Sequence, residues 1–201
     1  MDENDPLNLI DKTFETFEYS QKEQHANFWY VLFVKTSFEN QVCRQLGSFD
    51  LYDKLNIFTP TKERILKLPG QIKTEKKILF PGYLFIETEM KAEDFGYFIY
   101  RSKYYLQKIL KVVRYGTSFD IAMKDDERII LEMLLNKERC VEASKGIIQG
   151  DRVIITEGAL MGHESVIKKI DRHKRKAFIE LPFFGELKSI QVALEIVEKL
   201  P

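Results

Sequence analysis

The stretch Gly150-Asp151-Arg152-Val153-Ile154-Ile155 opens the last 52 residues of the chain, and its pattern predicts a small β unit. The Gly-Asp pair can form a tight turn without steric strain, and the apolar residues that alternate after it would face one side of a strand. Gly158 and Gly162 permit a sharp reversal, and a second strand is expected to begin within 166–170. These signals favour a compact barrel of short strands at 150–201.

A run of positive charge lies at the centre of this unit. Residues 168–176 read Lys-Lys-Ile-Asp-Arg-His-Lys-Arg-Lys, with six cationic side chains and one carboxylate. Lys plus Arg and Asp plus Glu number 31 each in the whole chain, so this density is local rather than compositional. At the junction of two predicted strands the run can reach phosphate groups, although a solvated hairpin tip that binds nothing is the alternative.

Eight residues of this unit are the candidate nucleic-acid contacts. Because side chains alternate along a strand, only about half of them are expected to touch one ligand. They are Arg152, Lys168, Lys169, Arg172, His173, Lys174, Arg175 and Lys176.

The first 26 residues have the opposite charge. Residues 1–26 hold seven acids and two lysines, without sustained hydrophobic periodicity, and we interpret them as a flexible acidic leader. Such a leader could shield the basic run from non-specific contacts, or it could simply keep the chain in solution.

Residues 27–137 show the mixed pattern of an α+β domain. Phe28–Val34 is β-branched, aromatic and free of polar residues, which predicts a strand buried on both faces. Ser37 is predicted to cap a helix over 37–49. The remaining predicted elements are a strand at 56–59, a hairpin of 63–67 and 72–80 around Pro69-Gly70, a strand at 83–88, a helix at 94–105, a strand at 109–115 and a helix at 125–137 with Ile129, Ile130, Met133 and Leu134 buried.

This order predicts an α/β sandwich in which helices pack on an antiparallel sheet. A linker is expected at 138–149, before the barrel.

Signals of catalysis are missing from the sequence. It has no GxSxG, P-loop or GxGxxG motif, and His25, His163 and His173 are too far apart to suggest a metal site. We therefore expect no enzyme activity, no metal and no cofactor. No run approaches the ~18 apolar residues of a membrane span, so we expect a cytoplasmic monomer that does not contact a membrane.

Three segments, taken together and in this order, resemble the NusG family of transcription elongation factors. Trp29-Tyr30-Val31-Leu32 is similar to the start of the family's N-terminal domain, and Phe80-Pro81-Gly82-Tyr83-Leu84-Phe85 to its FPGY segment. Gly150-Asp151-Arg152-Val153 resembles its KOW motif. The resemblance covers about residues 28–200 and implies an N-terminal α/β sandwich followed by a small SH3-like β-barrel, the KOW domain.

The resemblance implies that the N-terminal domain binds RNA polymerase at the clamp helices of the largest subunit. In the family, an aromatic surface around the FPGY segment makes this contact. The corresponding residues here are Trp29, Tyr30, Phe80, Pro81, Tyr83 and Phe85. The alternative is that Phe80 and Tyr83 are ordinary core residues.

Departures from the common family pattern resemble the specialised LoaP subfamily. Ala159 and Ser165 replace the usual Pro and Gly of the KOW segment, and Phe184-Gly185-Glu186 replaces Phe-Gly-Arg. The LoaP resemblance implies operon-specific antitermination, with a hairpin of the nascent RNA as ligand and the DNA of the transcription bubble as a further expected partner. A general NusG-type elongation factor and a ribosome-associated KOW protein stay open as alternatives.

Overall fold

The computed structural model of this chain describes residues 27–48, 55–103, 105–150 and 152–200. The predicted acidic leader at 1–26 lies outside the described residues, as does Asp151 of the predicted tight turn. In chain order, the described strands are β1 (Phe28–Val34), β2 (Asn56–Phe58), β3 (Thr61–Leu68), β4 (Gln71–Ile78), β5 (Tyr83–Thr88), β6 (Ile109–Val112), β7 (Cys140–Val141), β8 (Ser144–Gln149), β9 (Arg152–Glu157), β10 (Ile167–Asp171), β11 (Lys176–Phe183) and β12 (Glu186–Leu200). The described α-helices are α1 (Glu39–Leu46), α2 (Ala92–Lys103) and α3 (Asp125–Leu134).

An antiparallel sheet with the strand order β2-β5-β1-β6 is the centre of the N-terminal half, residues 27–137. The prediction that β1 is buried on both faces is confirmed, since Trp29, Tyr30, Val31 and Leu32 are all fully buried. Alternation along the strand sends Trp29 and Val31 to one face and Tyr30 and Leu32 to the other. The sheet therefore needs a covering layer on each side.

Helices α1 and α2 cover the face that carries Tyr30. Val42 and Leu46 of α1 and Phe95 of α2 lie in one apolar cluster with Tyr30 and Leu32. A helix within the predicted range 37–49 is thus confirmed, with Val42 and Leu46 as its buried apolar residues.

The predicted helix boundaries needed two corrections. The cap at Ser37 is wrong: α1 begins at Glu39 behind Phe38, without a side-chain cap, and Ser37 has a left-handed φ of 72°. Helix α3 ends at Leu134, and its buried apolar residues are Ile129, Leu131 and Leu134, so the prediction was wrong for Ile130 and Met133, which are half-buried. The cap is displaced by one residue and the end of α3 by about one turn, and local patterns do not resolve such differences.

The hairpin predicted around Pro69-Gly70 is confirmed as β3 and β4, with Leu68 paired to Gln71 across the turn. Its strand β3 also pairs in parallel with the short β7, which gives a small sheet of order β4-β3-β7. Because β7 follows α3 in the chain, this pairing fixes the hairpin beside the C-terminal half, residues 138–200.

The C-terminal strands form one sheet of order β10-β11-β12-β8-β9. The expected closed SH3-like barrel is not confirmed. Among the residues that the structure describes, the edge strand β9 pairs with β8 and the edge strand β10 pairs with β11, and the two edge strands do not pair with one another. The segment 138–149, expected to be a linker, contains β7 and β8. Strand β8 pairs in parallel with β12 and antiparallel with β9. The local sequence of 144–149 does not indicate these pairings, because the parallel partner β12 lies far away in the chain. The division into domains stays a prediction.

Gly158 is needed for the reversal after β9. Its φ is +91°, and a Cβ atom at this position would lie 2.3 Å from the carbonyl oxygen of Ala143. No L side chain fits such a close approach of two backbone segments, so glycine is the residue that allows β9 to leave the sheet here.

The turn at Pro81-Gly82 is held from α1. The buried carboxylate of Glu39 accepts a hydrogen bond of 2.7 Å from the backbone N–H of Gly82, and the Gly82 carbonyl accepts one of 2.8 Å from Val34. Gly82 has a φ of +84°, and a Cβ atom there would lie 3.2 Å from the ring of Phe33. The FPGY segment is therefore positioned by both β1 and α1.

We predict that Glu39→Ala lowers the free energy of unfolding by about 1–3 kcal/mol, because it leaves the buried N–H of Gly82 without an acceptor. Glu39→Gln should lose less, since its amide oxygen can still accept that hydrogen bond. Urea unfolding of the full chain, followed by circular dichroism, measures both. Equal stability of the Ala variant and the wild type would contradict the assigned role of Glu39.

Candidate functional site

Aromatic rings gather on the face of the N-terminal sheet that the helices α1 and α2 leave open. Trp29 meets Phe85 edge to face, with ring centroids 6.1 Å apart, and Phe80 lies 5.8 Å from Phe85. Tyr83 lies 6.5 Å from Phe80. We call the group of Trp29, Phe80, Tyr83 and Phe85 the aromatic surface.

Two residues predicted for the same contact are placed differently. Tyr30 lies on the opposite face of the sheet, where it stacks on Phe95 at 4.0 Å and donates a hydrogen bond to the carbonyl of Met90. Burial, with help from the negative charges of Asp120 and Asp94, raises the pKa of Tyr30 to about 12. Tyr30 is thus a core residue, whereas Pro81 is exposed at the rim.

The C-terminal half covers the aromatic surface. Phe183, at the end of β11, stacks on Phe80 with a centroid distance of 5.2 Å, and its ring meets those of Tyr83 and Phe85 at 5.3 and 6.2 Å. Lys188 adds a cation–π contact 3.9 Å from the centroid of Tyr83 and a hydrogen bond to its hydroxyl. In this arrangement Phe80, Phe85 and Trp29 are almost fully buried.

A carboxylate on α3 holds the turn that carries this cover. Glu127 accepts hydrogen bonds of 2.7 Å from the backbone N–H groups of Phe184 and Gly185, and one of 2.6 Å from the hydroxyl of Tyr115. Only 5% of Glu127 is exposed, so these three donors compensate a charge that water cannot reach. Burial, and then the hydrogen bond to Glu127, raise the pKa of Tyr115, which therefore stays a donor.

Phe184 occupies a strained conformation within that turn. Its φ is +53°, a left-handed value that side chains other than those of Gly, Asn and Asp rarely adopt. Its ring packs 5.0 Å from Tyr115 and 5.3 Å from Phe183. The ring contact with Tyr115 and the hydrogen bond to Glu127 cross between the N-terminal and C-terminal halves and help to balance the strain.

The basic run of residues 168–176 is confirmed as a hairpin, but its side chains divide between two grooves. Lys168, Lys169 and Arg172 line a groove of about 420 Å³ between the edge strands β9 and β10, here called the edge groove. Its floor is apolar, with Ile148, Val153, Ile167 and Ile170. Arg152 and His173 are exposed nearby in sequence but do not line it.

The last three residues of the run face the other way. Lys174, Arg175 and Lys176 line a groove against the β3–β4 hairpin. Arg175 is also paired with Glu195 at 2.9 Å, and Lys174 lies 3.9 Å from Asp171. The cations that the sequence predicted to form one patch therefore line two separate grooves.

Sequence reasoning missed Glu39, Glu127, Phe183 and Lys188. A signal existed for one of them: the doubled aromatic Phe183-Phe184 before Gly185 is unusual for an exposed hairpin tip. The two glutamates gave none, because a carboxylate in the first turn of a helix is ordinarily explained by the helix dipole.

A family model described as "Transcription termination factor nusG" matches residues 27–132, which include the whole aromatic surface. The chain belongs to the NusG family. Proteins called transcription termination/antitermination protein NusG, from Staphylococcus aureus strains N315 and COL, are each 23% identical over 184 residues. These matches cover 89% of the chain and 99% of each relative, so the likeness to NusG extends through both halves.

NusG-family proteins are transcription factors rather than enzymes. Within the described ranges, no three His, Cys, Asp or Glu side chains are arranged to hold a metal ion. Likewise, no helix in the described part of the chain is long and apolar enough to cross a membrane.

We predict that Glu127→Ala loosens the contact between the two halves, because it removes the only acceptor shown for the N–H groups of Phe184 and Gly185. Hydrogen exchange of these two amides should become faster, and exchange within β5 should rise as the aromatic surface is uncovered. Asp126→Ala, an exposed neighbour on the same helix, is the matched control and should change neither. Unaltered exchange in Glu127→Ala would contradict the role of this carboxylate.

Proposed function

We propose that this NusG-family protein is an operon-specific antitermination factor that binds RNA polymerase through its aromatic surface and nascent RNA through its basic run. The observation that carries the proposal is the pairing of two features in one chain: the FPGY aromatic surface, and a densely cationic hairpin on a chain without net charge. The NusG relatives are named for termination and antitermination, and the departures in the KOW segment favour the LoaP type.

For the polymerase contact we propose Trp29, Phe80, Tyr83 and Phe85, with Pro81 at the rim. Clustered aromatic residues are the preferred anchors of protein interfaces, because they bury a large area at little cost in side-chain entropy. The clamp helices of the largest polymerase subunit are the proposed partner. A factor with this partner acts where the polymerase is, which in bacteria is the cytoplasm.

In the packed arrangement, Phe183 blocks the proposed polymerase contact. Phe183 occupies the aromatic surface, and two partners cannot fill the same apolar face at once. The polymerase must therefore displace the turn at 183–186, which costs the hydrogen bonds to Glu127 and the ring contacts of Phe183. Binding then depends on how often the two halves separate.

For RNA we propose the edge groove and the cations around it, Lys168, Lys169, Arg172 and His173, with Arg152 beside them. Exposed lysines and arginines on a hairpin suit the phosphates of an RNA stem, which proteins recognise mainly by shape and backbone contacts. The hairpin ligand, the LoaP assignment and contacts to the DNA of the transcription bubble are part of this proposal.

A second candidate is a general elongation factor. It is favoured by the match to NusG of Staphylococcus aureus, which extends over nearly the full length of both chains. On that assumption the basic run contributes only non-specific contacts.

We predict that Glu127→Ala binds core RNA polymerase at least tenfold more tightly, because each hydrogen bond lost from the carboxylate removes about 1.5–3 kcal/mol from the covered arrangement. Adding Tyr83→Ala should reverse the gain, since Tyr83 is half-buried and belongs to the contact itself. Affinity is measured with purified polymerase by biolayer interferometry, with Asp126→Ala as control. No gain in Glu127→Ala, or no loss on adding Tyr83→Ala, would place the polymerase contact elsewhere.

Genome-wide occupancy of the tagged protein, compared with that of RNA polymerase, tests operon specificity. Signal confined to one or a few long operons is the expected result, because a leader hairpin would recruit the protein only where it is transcribed. Signal that follows polymerase at most genes would establish the general elongation factor instead.

A further inference from the structure

The β3–β4 hairpin and the end of the basic run enclose a second groove of about 280 Å³, here called the hairpin groove. The N-terminal half supplies one wall and the C-terminal half the other, so the groove exists only while the halves are packed. Its charged lining residues are six cations and one carboxylate: Lys62, Arg64, Lys77, Lys174, Arg175, Lys176 and Glu63.

Two lysines of this groove, Lys62 and Lys176, donate hydrogen bonds to the same residue, Gln191. Lys62 donates to the backbone carbonyl of Gln191 at 2.6 Å, and Lys176 donates to the side-chain oxygen of the same residue at 3.1 Å. Neither lysine has an ion pair among the described residues. Burial, followed by the repulsive charge of Lys176, lowers the pKa of Lys62.

The other charges do not neutralise the groove. Arg64 and Lys77 share one carboxylate, Glu75, at 3.6 and 3.5 Å. The carboxylate of Glu63 is occupied by the backbone N–H of Ala143 at 2.8 Å. Lys62 and Lys77 stand directly opposite one another on β3 and β4, and Glu75 beside Lys77 also pairs with Arg64, so this one carboxylate offsets only part of the positive charge of the three cations.

We propose that the hairpin groove binds the phosphodiester backbone of single-stranded RNA, with Lys62, Arg64 and Lys77 of the N-terminal half as contacts alongside Lys174 and Lys176. This inference rests on the proposed function and applies to the packed arrangement, in which the aromatic surface is covered, because polymerase binding would separate the two walls of the groove. The basic run contributes to both grooves, with Lys168, Lys169 and Arg172 in the edge groove and Lys174, Arg175 and Lys176 in the hairpin groove.

The lining residues also indicate which part of the RNA strand would be recognised. The uncharged residues of the groove are Ile65, Gln191, Val192 and Ala193, and none of the lining residues is aromatic, so no base can stack there. Recognition would be confined to phosphates and would not depend on sequence.

The experiment measures binding of the full-length chain to a fluorescein-labelled oligouridylate of about twenty nucleotides, longer than the ~4–16 nucleotides covered by one single-strand-binding fold. Lys62→Gln combined with Arg64→Gln should weaken binding about tenfold at ~0.1 M salt and lower the slope of log affinity against log salt by about 1.4, or ~0.7 per lost cation. Lys73→Gln, which removes one cation at an exposed position of the same hairpin outside the groove, should have no effect.

Two further variants separate lost contacts from lost structure. Lys62→Arg keeps the charge and should retain affinity. Arg64→Gln combined with Lys77→Gln alters only exposed side chains and should weaken binding without changing the thermal unfolding midpoint.

The outcomes distinguish the hairpin-groove contacts from the proposed RNA function. If Lys174, Arg175 and Lys176→Ala abolishes binding while Lys62→Gln with Arg64→Gln leaves it unchanged, the N-terminal contacts are overturned and the proposed RNA function stands. If neither set of substitutions changes affinity, the hairpin groove is overturned, and the proposed RNA function is overturned as well only if replacing Lys168, Lys169 and Arg172 with Ala also leaves affinity unchanged. If the hairpin substitutions weaken oligodeoxythymidylate binding alone, the groove belongs to DNA and the RNA assignment is overturned.

Discussion

The packing of Phe183 on Phe80 and Phe85 is the interaction on which the rest of this structure depends. Helices α1 and α2 cover one face of the N-terminal sheet, and the other face packs against α3 and the C-terminal sheet, which presents Ala177, Ile179, Leu181 and Phe183 from one side of β11. Neither apolar face has another covering layer of comparable size in the described chain. Burying a large side chain contributes about 1.5–3 kcal/mol, so the two halves stabilise one another by sharing a core.

Glu127 makes this shared core specific. Apolar packing alone has little orientation preference, whereas a buried carboxylate that accepts three hydrogen bonds permits one geometry. The left-handed backbone of Phe184 is tolerated only within that geometry. A contact that combines local strain with a few strong hydrogen bonds can be released as a unit, which is what a covered binding surface requires if a partner is to reach it.

Positive charge in this protein is concentrated locally, although the chain as a whole holds no excess of it. The chain has no formal net charge, yet the run at 168–176 and the β3–β4 hairpin bring cations from both halves to the same edge. The aromatic surface and the two cationic grooves share none of their residues. In the proposed function, the arrangement that covers the aromatic surface is also the arrangement that completes the hairpin groove.

The sequence by itself determined the elements whose signals are local: β1, whose unbroken apolar run indicated burial on both faces, the hairpin at Pro69-Gly70, and the aromatic FPGY segment. It also located the basic run, because charge density is visible without a fold. Only the tertiary structure decided that β8 joins a sheet rather than a linker, that Tyr30 and Phe80 face opposite sides, and that Phe183 covers the aromatic surface. These outcomes depend on contacts between residues far apart in the chain, such as Glu127 with Gly185 and Lys62 with Gln191, and no local pattern of residues encodes which distant partner a buried group will meet.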